Sequence, residues 1–209
     1  MYIRRTIEKR LRAAIRQFPV CLLTGPRQSG KSTLLQHSFK KFRYVTLDDP
    51  LMRELANKDP ELFLSSHPSP VIIDEIQYAP SLLSYIKIRV DSQRRKYGQY
   101  ILTGSQTFQL MNGVSETLAG RVAIFQLYPL SWEEISRVPR HRKSVFNDMA
   151  CAHQIVTGFY PEFFAVPKMD TNLWLSSYLV TYIERDLRNM KAMGVSQSCT
   201  LLSSHSRAN

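Results

Sequence analysis

No stretch of the chain approaches the run of about 18 apolar residues that a membrane span needs, so no membrane segment is expected. Cysteine is scarce, and Cys21, Cys151 and Cys199 lie far apart with no CxxC pair. That spacing argues against a zinc site or a disulfide framework and fits a reducing, cytoplasmic setting. The N-terminal segment MYIRRTIEKRLRAAIRQF is Arg-rich and amphipathic but lacks the apolar core and cleavage site of a secretory leader. It runs directly into a strand and reads as structural. No internal repeat is present.

Acidic residues are also short: 17 Asp and Glu face 28 Lys and Arg, for a net charge of +11. A basic surface attracts polyanions before any specific contact forms. A nucleic-acid or protein partner held through that surface is one reading, and scattered solvated side chains are the other. The two basic segments are the first helix (Arg4, Arg5, Lys9, Arg10, Arg12, Arg16) and the loop RVPRHRK at 137–143. Neither has the interleaved aromatics that stack on bases, which favours a solvated face.

What is present is enough for one α/β domain with a small appendage: 209 residues, of which 44% are hydrophobic. Ile3, Ile7, Leu11, Ala14, Ile15 and Phe18 recur at helical spacing and predict an amphipathic helix ended by Pro19. Short apolar runs then alternate with helical segments. Strands are expected at 20–23, 42–47, 71–73, 100–103 and 122–127, with helices from Lys31 and Pro80 and around Phe108 to Leu118. Such alternation favours a parallel sheet covered on both faces. The basic loop marks a boundary, giving a sheet domain at 1–143, a helical remainder at 144–190 and a serine-rich tail at 191–209 that is expected to fray.

The segment Gly25-Pro26-Arg27-Gln28-Ser29-Gly30-Lys31-Ser32-Thr33 matches G-x4-G-K-[ST] in full and falls between a predicted strand and a predicted helix. Its glycines let backbone N–H groups turn inward and, with the helix N-terminus, form a nest for nucleotide phosphates. Lys31 would bring a mobile charge to the outer phosphates, and Ser32 a hydroxyl ligand to Mg²⁺. These residues make ATP with Mg²⁺ the expected ligand.

The strand VIIDE carries Asp74 and Glu75 to its C-terminal end, where α/β sheets place ligands. Asp74 would hold the metal through its water shell, and Glu75 would polarise the attacking water. In Thr103-Gly104-Ser105-Gln106 a polar side chain, Ser105 first, could meet the terminal phosphate or the water; a helix cap at Ser105 or Thr107 is the plain alternative. Arg121 opens the fifth strand and is open to three readings: a phosphate sensor, a finger across a subunit interface, or a structural ion pair.

In these motifs and their order the chain resembles the bacterial and archaeal AAA_14/DUF4143 ATPases, in which an AAA-type domain precedes a second domain. The resemblance rests on PVCLLTGPRQSGKSTLL, YVTLDDPLMRELANKDPELFL, PVIIDEIQYAPSLLSYIK, YILTGSQTFQLMNGVSETLAGR and LYPLSWEE, in that order. TGFYPE and SSYLVTYIERDLRNM resemble the opening of the second domain, after which the likeness stops, as in a truncated copy. The resemblance implies a P-loop NTPase fold of the additional-strand (ASCE, AAA-like) type, a parallel sheet sandwiched by helices and followed by a short helical remnant of the second domain. It also implies phosphate, metal, water and sensor roles for Lys31, Asp74, Glu75 and Ser105, and an arginine role for Arg121.

Mg²⁺-dependent ATP hydrolysis coupled to a macromolecular partner is therefore expected. The rival is a truncated, catalytically weak nucleotide-binding interaction module. A phosphotransfer kinase fits less well, for the sequence offers no Arg-rich lid. Trp174, Leu175, Tyr178, Leu179, Tyr182, Ile183 and Leu187 lie on one helix face, whose exposure would drive homo-oligomerisation.

Overall fold

A computed structural model of the chain describes residues 2–105, 108–138, 148–166 and 168–192. Gln106, Thr107, residues 139–143 of the basic loop and the tail from 193 lie outside the described residues, as do the side chains of Tyr182, Ile183 and Leu187.

Among the described residues five short strands form one parallel sheet: β1 (Val20–Thr24), β2 (Arg43–Thr46), β3 (Val71–Asp74), β4 (Tyr100–Gly104) and β5 (Val122–Gln126), in the order β2-β3-β4-β1-β5. The strand that feeds the glycine-rich loop, β1, thus lies beside β4 and is separated from the carboxylate strand β3 by it. That inserted strand is the additional-strand arrangement expected from the sequence.

Residues of the central strands alternate between two buried clusters, because successive side chains point to opposite faces of a sheet. Val20, Leu22, Val71, Ile73, Tyr100 and Leu102 pack on one face against α3 (Pro50–Lys58), α4 (Pro60–Ser66), α5 (Leu82–Ser92) and α6 (Phe108–Thr117). Cys21, Leu23, Ile72 and Ile101 pack on the other against α1 (Glu8–Ala14) and α2 (Lys31–Ser38). Both faces being covered explains why β1, β3 and β4 read as continuous apolar runs rather than alternating ones.

The family-like run LDDP owes its form to helix chemistry. Asp49 caps α3, accepting from the Leu51 amide at 2.8 Å, and Pro50 occupies the first helical position. The pair Asp59 and Pro60 repeats the arrangement at α4.

Two differences from the sequence expectation have clear causes. The first helix spans only Glu8–Ala14, since residues 2–5 have no regular structure and residues 6–7 form a turn, with Arg5 held by Glu134 and the Ser29 carbonyl. The chain also divides into compact units at Met1–Ala165 and Val166–Asn209, later than the expected boundary at 143. The first unit includes α7 (Trp132–Ser136), α8 (Asp148–Thr157) and α9 (Pro161–Ala165), and Phe164 of α9 joins Ile3, Leu130 and Ile135 in a third buried cluster. In the second unit α10 (Thr171–Ala192) leaves Leu173, Leu179 and Val180 exposed, while Trp174 stacks on Tyr178.

Candidate nucleotide site

The C-terminal ends of β1, β3 and β4 converge on one group of polar side chains. The loop Gly25–Gly30 leaves β1 there and enters α2, whose N-cap Gly30 sits in the left-handed region with no side-chain cap. The first-turn N–H groups of α2 therefore lack a side-chain cap, and no acidic residue occupies that turn. Gly25 is demanded by a close approach: at φ 148 a Cβ would fall 2.1 Å from the Leu127 carbonyl oxygen.

Lys31 is nearly buried, and its Nζ donates to the carbonyls of Gly25 and Pro26, both at 3.0 Å. Burial lowers its pKa from the ordinary lysine value, opposed by the negative charges of Glu75 and Asp74. Ser29 is fully buried; its carbonyl is held by Arg5, and its hydroxyl has no hydrogen-bond partner. Pro26, Arg27 and Gln28 complete the loop, with Gln28 also at positive φ, and Thr33 faces solvent. A cleft of about 130 Å³ borders Gly30 and Thr33 and is lined also by Tyr2, Ile3 and Pro161.

Asp74, at the end of β3, is oriented from three directions. Ser32 Oγ donates to its Oδ2 at 2.6 Å, the Tyr44 hydroxyl donates to the same oxygen, and Thr103 Oγ1 donates to Oδ1. Burial and the hydrogen bond to Asp74 push the Tyr44 hydroxyl up to about 12, so Tyr44 stays a neutral donor. Glu75 leaves the strand in a left-handed conformation, φ 58 and ψ 47, a costly backbone for a non-glycine residue and one found where a site over-determines it. Its amide donates to Thr103 Oγ1 at 3.4 Å, and its carboxylate accepts from Gln77 Nε2. That same Nε2 reaches Ser105 Oγ at 3.2 Å.

Lys31, Ser32, Asp74, Glu75 and Ser105 are thus linked in one neighbourhood, as the sequence motifs require. Arg121 is not part of it. It precedes β5, whose Val122 pairs in register with Val20 at the start of β1, so it lies at the opposite sheet edge from the loop, at least about 13 Å away along the strands. There it grips Asp91 through Nε at 2.7 Å and Nη2 at 3.0 Å. Of the readings left open for Arg121, the ion pair is the one formed, and a sensor role within its own chain is corrected by strand direction.

Three contributors, Tyr44, Gln77 and Arg5, escaped the sequence reading, and Thr103 was named there only as part of the polar end of the fourth strand. Tyr44, Thr103 and Gln77 act on the carboxylates from neighbouring strands and turns. Arg5, assigned by its helical spacing to a solvated basic face, is instead buried: it bonds Glu134 at 3.0 Å, the Ser29 carbonyl at 2.8 Å and the Tyr128 carbonyl at 2.6 Å. Glu134 in turn accepts from the Thr6 amide at 2.6 Å and completes a capping box with Ser131. Arg4, Lys9, Arg10, Arg12 and Arg16 are exposed, as expected. In the second basic segment Arg137 pairs with Glu133.

Comparison with known proteins gives the family and the fold. The family model AAA_14, described as an AAA domain, matches residues 17–136. The chain therefore belongs to the AAA_14 family of AAA-type P-loop ATPases. Two uncharacterized proteins, from Mycobacterium bovis and Mycobacterium tuberculosis, are each 33% identical over 190 residues, covering 90% of this chain and 40% of theirs. The chain thus spans well under half the length of these curated relatives. A Walker-type ATPase of Pyrococcus abyssi shares the fold with a TM-score of 0.60 at 19% identity, covering 92% of this chain and 77% of that one. Among the described residues no helix is long and apolar enough to cross a membrane.

Proposed function

We propose that the chain binds ATP with Mg²⁺ at Gly25–Thr33 and hydrolyses it. The observation that carries this reading is the 2.6 Å contact between Ser32 Oγ and Asp74 Oδ2, made beside Lys31 and one residue before Glu75. A hydroxyl and a carboxylate oxygen at that separation are hard donors suited to Mg²⁺, which takes few protein ligands and fills its remaining positions with phosphate and water oxygens. Among the described residues no cluster of three His, Cys, Asp or Glu offers an all-protein cage. Bound there, the ion would neutralise charge developing on the phosphate oxygens.

The protein's own part follows from the geometry. The first-turn amides of α2 and the loop amides accept the phosphates, and Lys31 exchanges its two carbonyl partners for phosphate oxygens. Asp74, fixed by Ser32, Tyr44 and Thr103, keeps its carboxylate aimed at the metal position. Glu75 accepts a proton from water as that oxygen bonds to the terminal phosphorus and the bond to the bridging oxygen breaks, releasing ADP. Ser105 supplies a hydroxyl near the same carboxylate.

Coupling to a partner belongs to this proposal. The exposed cations of α1 support a polyanionic or acidic partner, and the exposed apolar residues of α10 support homo-oligomerisation. Residues 144–190 would open a second domain of the DUF4143 type, and the absence of cysteine pairing favours the cytoplasm. The test is Glu75→Gln, which keeps shape but loses the basic oxygen. Nucleotide binding should persist while hydrolysis falls about a hundredfold or more. Turnover at the parent rate would remove Glu75 from the mechanism.

A further inference from the structure

Gln77 is the residue of this site that pairs a shared donor with a buried, unpaired acceptor. It sits in the 3-10 turn Ile76–Tyr78, two residues past Glu75. Its Nε2 donates both to the Glu75 carboxylate and to Ser105 Oγ at 3.2 Å. Its Oε1 is buried with no hydrogen-bond partner. Turning the amide over would bring that oxygen against the Glu75 carboxylate, so the charge on Glu75 dictates the orientation and leaves the acceptor unpaired.

Space for this arrangement is made by Gly104. A Cβ there would fall 2.4 Å from Gln77 Oε1 and 2.8 Å from Leu110 Cδ2. An apolar side chain in place of Gln77 would fill the same volume without burying an orphan acceptor. The amide is therefore explained by what it holds, a carboxylate on a strained left-handed residue and a hydroxyl at the end of the neighbouring strand.

We propose that Gln77 is a positioning residue that ties the Glu75 carboxylate to Ser105, so that a phosphate meeting Ser105 sets the aim of Glu75 at the attacking water. This rests on the ATPase reading above. The link runs through one nitrogen. Displacing Ser105 Oγ toward a phosphate pulls the amide, and the amide carries the carboxylate with it. Glu75 has no other side-chain donor among the described hydrogen bonds, so losing Gln77 releases its rotamer while leaving the phosphate loop and Asp74 untouched.

The test is steady-state hydrolysis and nucleotide titration on the full chain for Gln77→Met, Ser105→Ala and the double variant, beside parent and Glu75→Gln. Methionine keeps length and flexibility and removes both donors and the orphan acceptor. Gln77→Met should lose roughly ten- to hundredfold in kcat from misplacement of a reacting group, with ATP affinity and KM unchanged and thermal stability equal or higher. Adding Ser105→Ala to it should cost less than Ser105→Ala costs alone, because the two act through one link. Gly104→Ala, which expels the amide from its seat, should reproduce the kcat loss and gives an independent route should Gln77→Met fold poorly. Parent hydrolysis that Glu75→Gln does not reduce would overturn the ATPase reading itself. With that dependence present, parent-like kcat in Gln77→Met, or fully multiplicative losses in the double variant, would overturn the proposal for Gln77 alone.

Discussion

The two ends of one parallel sheet carry charged groups of opposite character. At the N-terminal edge Arg121 closes on Asp91 in a two-pronged pair and spends its remaining nitrogen on the Ala119 carbonyl at 2.9 Å. At the C-terminal edge Lys31 rests on neutral carbonyls, Asp74 is aimed by three hydroxyls, Glu75 is strained, and two buried polar atoms, Ser29 Oγ and Gln77 Oε1, have no partner. The first end is satisfied by its own residues. The second leaves two buried polar atoms unpaired and one carboxylate on a strained backbone, a contrast that residue type alone does not show.

The largest expected effect breaks the C-terminal end outright. Lys31→Ala removes the one buried ammonium of the loop and should weaken ATP binding by roughly a hundredfold or more, read by fluorescent-nucleotide titration. Unchanged affinity would end the phosphate-loop assignment. Next comes Arg5, which ties the N-terminal segment, the loop carbonyl of Ser29 and Glu134 together out of water. Arg5→Ala strands the buried Glu134 carboxylate and should cost about 3–5 kcal/mol in urea unfolding. It should also loosen nucleotide binding; a change below 1 kcal/mol, roughly the range of an exposed pair, would show that Arg5 is solvated in solution.

A smaller effect follows from Lys31 itself. Its pKa is lowered in the folded chain, so the unfolded chain binds more protons in the interval between the folded value and the ordinary value near 10.5. Stability of the nucleotide-free protein should therefore rise with pH through that interval, the contribution being lost as pH falls through the folded value. Lys31→Met should flatten that rise relative to the parent in parallel chemical unfolding curves, and an identical slope in both would contradict the burial argument. The smallest effect is expected at the other edge. Arg121→Ala should leave kcat and KM for ATP unchanged with a slight loss of thermal stability, whereas a collapse of hydrolysis would mean that Arg121 reaches the site of a second copy and that the two edges meet across an interface.

Much of this was legible in the sequence because it is local. The loop Gly25–Thr33 and the strand VIIDE each specify their chemistry within a few residues, and the alternation of strand-like and helical segments predicts the layered parallel sheet. Arg5 was misassigned and Arg121 was left open between three readings, and both have the same cause. An arginine at helical spacing, or at a strand start, has no local signal that tells a buried partner from water. Its fate depends on Glu134 or Asp91, 129 and 30 residues away in the chain.

By itself, then, the sequence determined the phosphate-loop motif and the paired carboxylates to which the proposal gives phosphate, metal and water, since loops and strand ends are built from neighbours along the chain. Only the tertiary structure decided how those residues are aimed. Asp74 takes its orientation from Ser32, Tyr44 and Thr103, and Glu75 shares Gln77 with Ser105, because β4 and β2 flank β3 in the sheet. Hydrogen bonds reach only about 3 Å, so the partner of each group is fixed by strand order and register, quantities that no run of consecutive residues encodes.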